Sequence, residues 1–235
     1  YRLSWGAKNI RGPEWIELQQ TFDDRLERMQ KDAINSGWLK PQGVYGYWPA
    51  QSEGDDLIIF DPQAASKGSR VELSRFTFPR QPSKDNLCLA DYFLPTDAKE
   101  LDLVAFQIVT VGEGASKKVA EFQDSSNYSE AYYAHGLAVQ TAEATAEYLH
   151  RHITKELGLP VSQGKRYSWG YPAIPLLKDH EKVFSLLPVE KQLGMQLSPA
   201  YQLIPEQSTA AIIIHHPEAK YFSVGKSRIE QLVEG

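Results

Sequence analysis

Residues 43–61 constrain the fold most, because two apolar runs lie on either side of a polar turn. The runs occupy residues 44–48 and 57–60, and the turn between them contains Gly54 and two aspartates. Runs of this kind, joined by a short turn, predict a β-hairpin. Further strands are predicted at residues 71–78, 101–111, 210–215 and 220–224. Because strands linked by short turns run in opposite directions, we expect an antiparallel sheet in which the last two of these strands pair.

Two long segments have helical patterns. Residues 15–34 place an apolar side chain every three or four positions, which predicts an amphipathic helix. Residues 129–157 are rich in alanine and are followed by a glycine and a proline, so we expect a helix that lies close against the sheet. Shorter helices are predicted at residues 116–122 and at 179–191, where a proline interrupts the second.

Composition limits the classes of function. The chain has 235 residues, of which 42% are hydrophobic, and we expect residues 1–235 to form a single domain. Its net charge of -5 argues against a nucleic-acid partner, and no apolar run approaches the roughly 20 residues that span a membrane. Cys88 is the only cysteine, which excludes an intrachain disulfide and favours the reducing cytoplasm. The sequence does not begin with methionine, so we expect a fragment of a longer chain.

Other motifs give weak signals of chemistry. His150, His152 and the pair His215 and His216 suggest metal ligands, but their spacing matches no recognised zinc or iron site. Residues 112–114, Gly-Glu-Gly, follow a predicted strand but lack the third glycine and the lysine of a phosphate loop. No Gly-x-Ser-x-Gly nucleophile motif occurs. We therefore predict neither a metal site nor a catalytic side chain.

Residues 166–173, Arg-Tyr-Ser-Trp-Gly-Tyr-Pro-Ala, combine three aromatic rings with an arginine, a glycine and a proline. Rings stack on planar or cationic groups and a guanidinium binds carboxylate or phosphate, so the segment suits a small, partly charged ligand. The same composition is typical of a buried turn, in which Gly170 takes a special conformation and the rings fill the core. Composition alone favours the turn and leaves the binding site as the alternative.

The pattern Arg-x-x-x-Gly-Tyr-Pro-Ala in this segment resembles the signature of the activation domain of cobalamin-dependent methionine synthase. Four further matches to this family follow the same order along the chain. They are Gly-Val-Tyr-Gly-Tyr-Trp-Pro-Ala at residues 43–50 with Gly-Asp-Asp at 54–56, Leu-Cys-Leu-Ala-Asp-Tyr at 87–92, Glu-Tyr-Leu-His at 147–150, and His-Pro-Glu-Ala-Lys-Tyr at 216–221. The resemblance covers most of the chain.

The resemblance implies an α+β fold, a long, bent antiparallel sheet flanked by helices, unrelated to the doubly wound fold of common methyltransferases. S-adenosylmethionine would lie in a shallow groove at the sheet edge, largely on residues 166–173. The domain would be part of a methyltransferase and would present the methyl group to cob(I)alamin, carried by a neighbouring module, during reductive reactivation. Flavodoxin or a similar protein would supply the electron, and the isolated domain is not expected to turn over alone.

The resemblance also implies six ligand-binding residues: Glu143, Arg166, Ser168, Gly170, Tyr171 and Tyr221. By this resemblance Arg166 binds the carboxylate of the methionine part, because a guanidinium can bond a carboxylate at two points. Glu143 would face the ammonium or hydroxyl groups of the ligand. The family also uses an aspartate upstream of the stretch that resembles residues 3–6, at a position ahead of Tyr1.

A second hypothesis for the function is a separate, non-catalytic S-adenosylmethionine-binding module that senses the ligand or activates another corrinoid protein.

Overall fold

The computed structural model describes Arg2 and residues 4–82, 85–160 and 163–225, so the single domain expected over residues 1–235 extends outside this range. The helices are α1 Gly12–Ser36, α2 Pro62–Ala65, α3 Gly114–Asp124, α4 Tyr128–Glu156, α5 His180–Leu186 and α6 Val189–Leu193. The strands are β1 Gln42–Glu53, β2 Asp56–Phe60, β3 Glu72–Thr77, β4 Asp102–Thr110, β5 Lys165–Ser168, β6 Gln196–Leu197, β7 Leu203–Ile204 and β8 Ser208–Ile214. None of the helices in the described ranges is long and apolar enough to cross a membrane.

Six strands form one sheet in the order β3-β2-β1-β4-β8-β5, and β6 and β7 form a separate two-stranded ribbon. Every neighbouring pair in the large sheet is antiparallel. The predicted hairpin is β1 with β2, and its turn is shorter than expected because pairing continues as far as Glu53 and Asp56. The antiparallel sheet and the flanking helices that the sequence predicts are confirmed.

The two faces of the sheet are buried against different parts of the chain. Side chains alternate along a strand, so Phe106 and Ile212 point to one face and enter the largest hydrophobic cluster. Val109 and Ile213 point to the other face and pack against α4, where they contact a cluster that includes Ile153. The alanines of α4 are small, and this lets the helix backbone approach the sheet as the sequence predicts.

Helix α1 packs away from the sheet. Its buried side chains Phe22, Met29 and Ala33 join a separate cluster with Trp5 and with Ala138 of α4. The helix ends where Gly37 takes a left-handed conformation, with φ of 68°, and its backbone N–H bonds the carbonyl of Ala33. This confirms the amphipathic helix predicted at residues 15–34.

The strand predicted at residues 220–224 is wrong. Strand β8 is bonded to β4 on one side and to β5 on the other, so it has no free edge for the segment that follows it. Residues 219–224, which we call the covering segment, have no strand pairing. They are held by bonds to the rest of the chain, including Tyr167 Oη to the Lys220 carbonyl at 2.8 Å and the Val224 N–H to the Pro172 carbonyl at 3.0 Å.

Candidate functional site

Strand β5 contains the first residues of the segment 166–173 and places them at the edge of the sheet. It pairs with β8, with Arg166 opposite Ile213 and Ser168 opposite Ala211. Because side chains alternate, Arg166 and Ser168 share the face on which α4 lies. Tyr167 points the other way and is 3% exposed in the main core.

The end of β5 is a tight turn of the kind that the composition favours. Gly170 has a φ of 85°, and its N–H donates to the Ile174 carbonyl at 2.9 Å. The backbone conformation favours glycine, and a Cβ atom at this position would also lie close to Leu177 Cδ2, at 3.0 Å. Trp169 is 5% exposed and fills the core, whereas Tyr171 is 54% exposed. Trp169 packs on Phe106, as the buried-turn interpretation of this segment predicts.

Opposite charges meet beside this turn. Arg166 Nη2 donates to Glu143 Oε2 of α4 at 3.0 Å, and the hydroxyl of Tyr171 donates to Glu143 Oε1 at 3.2 Å. The second nitrogen of the fork, Nη1, donates to Ser168 Oγ at 3.3 Å. Burial and the Glu143 carboxylate raise the pKa of Tyr171 and outweigh the opposite effect of Arg166, so at neutral pH the hydroxyl remains a donor. The sequence places these residues on separate elements, and the fold joins them.

The covering segment closes one side of the same region. The Tyr221 ring packs edge-on against Tyr167, with centroids 5.4 Å apart, and the Phe222 ring lies 6.5 Å from Tyr167. The Lys220 N–H donates to Tyr92 Oη at 3.4 Å, which ties the segment to the core. Tyr221 and Phe222 are thereby held against Tyr167 without the strand pairing that was predicted for them.

A cavity of about 330 Å³ lies between these elements, and we call it the Arg166 cavity. It is lined by Glu143, Arg166, Tyr167, Ser168, Tyr171, Pro172, Ala173, Tyr221 and Phe222. Five of the six residues that the resemblance assigns to the ligand are in this set. The sixth, Gly170, is not in the lining and shapes the turn beside it. Phe222 was missed, although it directly follows the matched residues 216–221.

The size and the lining of the cavity are typical of a small-molecule binding site. A small-molecule site of roughly 300 to 1,000 Å³ with aromatic walls and a few placed polar groups is the usual pattern for proteins. In the Arg166 cavity the polar side-chain groups include a guanidinium, a carboxylate and the hydroxyls of serine and tyrosine. Within the described ranges, no group of three or more His, Cys, Asp or Glu side chains is placed to hold a metal ion. A larger cavity of about 610 Å³ shares Glu143 and Tyr171 with the first.

The chain is similar to one family over nearly all of its length. The family model of the vitamin B12 dependent methionine synthase activation domain matches residues 14–234. The methionine synthases of Mycobacterium leprae and Mycobacterium tuberculosis are 36% and 35% identical to this chain over 248 aligned positions. The alignments cover 94% of this chain and 20% of each relative. The chain thus spans a fifth of the length of these curated relatives.

A solved structure has the same fold. The crystal structure of the MetH reactivation domain bound to AdoHcy has a TM-score of 0.83 to this chain at 26% sequence identity. The similarity covers 99% of this chain and 78% of the crystallised one.

Proposed function

The chain belongs to the family of vitamin B12 dependent methionine synthase activation domains, and from this membership we propose that it binds S-adenosylmethionine in the Arg166 cavity. We further propose that it presents the methyl group of this ligand to cob(I)alamin during reactivation of a methionine synthase. The similar crystallised domain is bound to AdoHcy, the product that remains when S-adenosylmethionine loses its methyl group.

The observation that carries the proposal is the ion pair between Arg166 and Glu143 in the wall of the cavity. The amino-acid part of S-adenosylmethionine has a carboxylate and an ammonium group on one carbon atom. A guanidinium can bind the carboxylate with two parallel hydrogen bonds, and a neighbouring carboxylate attracts the ammonium. The ligand would therefore exchange one internal ion pair for two ion pairs of its own. The guanidinium is held between α4 and β5, so little ordering is required on binding.

The aromatic side chains suit the remaining parts of the ligand. Tyr171 and Tyr221 are 54% and 67% exposed, which leaves their rings available to a planar base or to the positive sulfonium. Gly170 stays in the proposed site as the residue that fixes the turn and thereby the position of Tyr171.

The contribution of this chain to the reaction would be positioning. Cob(I)alamin, carried by a neighbouring module, would supply the nucleophile and the sulfonium already contains a good leaving group, so no acid or base is required from the chain. The larger cavity shares Glu143 and Tyr171 with the Arg166 cavity and has the half-exposed apolar side chain of Ile204 in its lining. This is a suitable surface for an acceptor that approaches the ligand from outside.

The size of the relatives favours a module of a longer enzyme over the separate sensor or activator. Their length leaves room for a cobalamin-binding module, which we propose as the partner, with flavodoxin or a similar one-electron reductant as the source of electrons. The free, buried thiol of Cys88 fits a reducing, cytoplasmic setting. We propose that the domain does not consume S-adenosylmethionine by itself.

Isothermal calorimetry tests the binding step. The chain should bind S-adenosylmethionine and S-adenosylhomocysteine, and 5′-methylthioadenosine should bind more weakly because it lacks the amino-acid part. Equal affinity for all three ligands would remove the Arg166 and Glu143 pair from the recognition of the ligand. Absence of binding to any of them would reject the proposed function for this chain.

A further inference from the structure

Two hydroxyl groups on neighbouring strands are linked by hydrogen bonds to each other and to the Arg166 guanidinium. Ser168 is the last residue of β5 and Thr209 is the second residue of β8, and their Oγ atoms are 3.3 Å apart. Both residues are buried, with 7% and 9% of their surface exposed. Ser168 lines the Arg166 cavity, whereas Thr209 lines the larger cavity.

The hydrogen-bonding capacity of these groups decides where the serine proton points. A hydroxyl donates one hydrogen bond and accepts two, whereas a guanidinium only donates. Arg166 Nη1 donates to Ser168 Oγ, so one lone pair of the serine is occupied. The hydroxyl of Thr209 has no other hydrogen-bond partner among the described residues, so its proton is satisfied when it donates to Ser168. The serine then accepts twice, and its own proton has no acceptor among the residues that line the cavity.

We propose, resting on the proposed function, that Thr209 is a positioning residue of the site, which fixes the Ser168 hydroxyl as a donor to the carboxylate of the ligand. The Ser168 hydroxyl donates to the ligand carboxylate beside Arg166 Nη1, and Thr209 keeps that proton directed into the cavity. The two bonds that Ser168 accepts are both 3.3 Å long, longer than the usual range of about 2.7 to 3.2 Å for N–H donors and about 2.5 to 3.0 Å for O–H donors, so they restrain the hydroxyl only weakly and it can turn towards a charged acceptor. A bond to a charged group is stronger than one between neutral groups.

The arrangement makes Ser168 a determinant of specificity. Ligands with a carboxylate satisfy both the guanidinium and the serine proton. Ligands that lack the carboxylate leave the serine donor without a partner in a largely buried position, which is unfavourable. The hydroxyl therefore contributes to the preference for S-adenosylmethionine and S-adenosylhomocysteine over nucleosides without the amino-acid part.

The test compares Ser168→Ala, Thr209→Val and Thr209→Ser with the parent, by calorimetry with S-adenosylhomocysteine and with 5′-methylthioadenosine. Ser168→Ala should weaken S-adenosylhomocysteine binding about tenfold, corresponding to the loss of one bond to a charged group. It should not weaken the binding of 5′-methylthioadenosine, because this ligand has no carboxylate to accept the bond and the unpaired serine donor is removed. Thr209→Val should weaken S-adenosylhomocysteine about threefold, and Thr209→Ser, which keeps the hydroxyl, should restore the parent affinity.

The outcomes separate this inference from the proposed function. If the parent binds S-adenosylhomocysteine and Ser168→Ala binds it equally well, the proposed function stands and the inference is rejected. An equal loss for both ligands rejects it too, because a packing defect would weaken both. If the parent binds neither ligand, both proposals fail. Circular dichroism checks the fold of each variant, and should Thr209→Val fail to fold, the comparison of Ser168→Ala with the parent decides.

Discussion

Replacement of Arg166 by alanine should separate ligand binding from folding. Its side chain is 16% exposed and that of its partner Glu143 is 35% exposed. An ion pair that water reaches contributes up to about 1 kcal/mol to stability, and Tyr171 still bonds Glu143 in the variant. We therefore expect the free energy of unfolding to fall by less than about 1 kcal/mol. Loss of a charge-assisted bond to the ligand costs about 1.5 to 3 kcal/mol, roughly a ten- to hundredfold weaker Kd.

The assay is calorimetry with S-adenosylmethionine, combined with urea unfolding followed by circular dichroism. Arg166→Lys should have an intermediate Kd, because lysine keeps the charge but loses the planar fork. Arg151→Ala is the matched control, since Arg151 forms an ion pair with Glu147 on the same helix and does not line the cavity. An unchanged Kd in a folded Arg166→Ala variant would refute the assignment of this residue to the site.

Three further predictions concern neighbouring residues. Glu143→Gln should weaken S-adenosylmethionine binding by about 0.5 to 1 kcal/mol, which is less than the effect of Arg166→Ala, and Glu143→Leu should weaken it more than Glu143→Gln does. If both variants bind like the parent at low salt, Glu143 is only a solvated helix residue. Gly170→Ala should lower the free energy of unfolding by about 1 to 2 kcal/mol because its φ is 85°, and an unchanged urea midpoint would contradict this. A hydrogen bond to Asp102 raises the pKa of His215, although burial acts in the opposite direction. The pair therefore contributes fully to the free energy of unfolding below about pH 6.5, and this contribution is lost as the pH rises through the raised pKa. The parent should therefore lose more stability than His215→Gln between about pH 6 and pH 9 in urea titrations, and parallel curves would exclude the effect.

Elements defined by local pattern could be predicted from the sequence. The helix at residues 129–157 depends on composition and on the residues that end it, and both lie within or directly beside the segment itself. The order of the strands could not be predicted, because β8 lies between β4 and β5 in the sheet. Both of these neighbours are distant from β8 in the sequence, so no local pattern indicates the pairing. The wrong strand at residues 220–224 has the same origin. Its composition suits a strand, but every edge of its expected partner is already occupied.

The same distinction applies to the candidate site, where residues in local motifs could be predicted and residues joined only by strand pairing could not. Arg166, Tyr171 and Tyr221 could be proposed because they belong to contiguous motifs. Thr209 had no such signal, since it is 41 residues from Ser168 and reaches it only through the pairing of β5 with β8. The composition favoured a turn at Gly170, and the structure has that turn, yet Arg166 beside it lines the cavity. The two interpretations of residues 166–173 were therefore compatible, because the turn fills the core with one face and forms the cavity wall with the other.

Methyl transfer in trans is the direct test of whether the domain presents the methyl group to cob(I)alamin. The chain would be mixed with a separate cobalamin-binding module, a one-electron reductant and S-adenosylmethionine, and the corrin absorption spectrum would be followed. We expect methylcobalamin to form only when both the chain and the ligand are present and not with Arg166→Ala. We expect no consumption of S-adenosylmethionine when the module is omitted. Turnover of S-adenosylmethionine by the chain on a small acceptor without any corrinoid would contradict it.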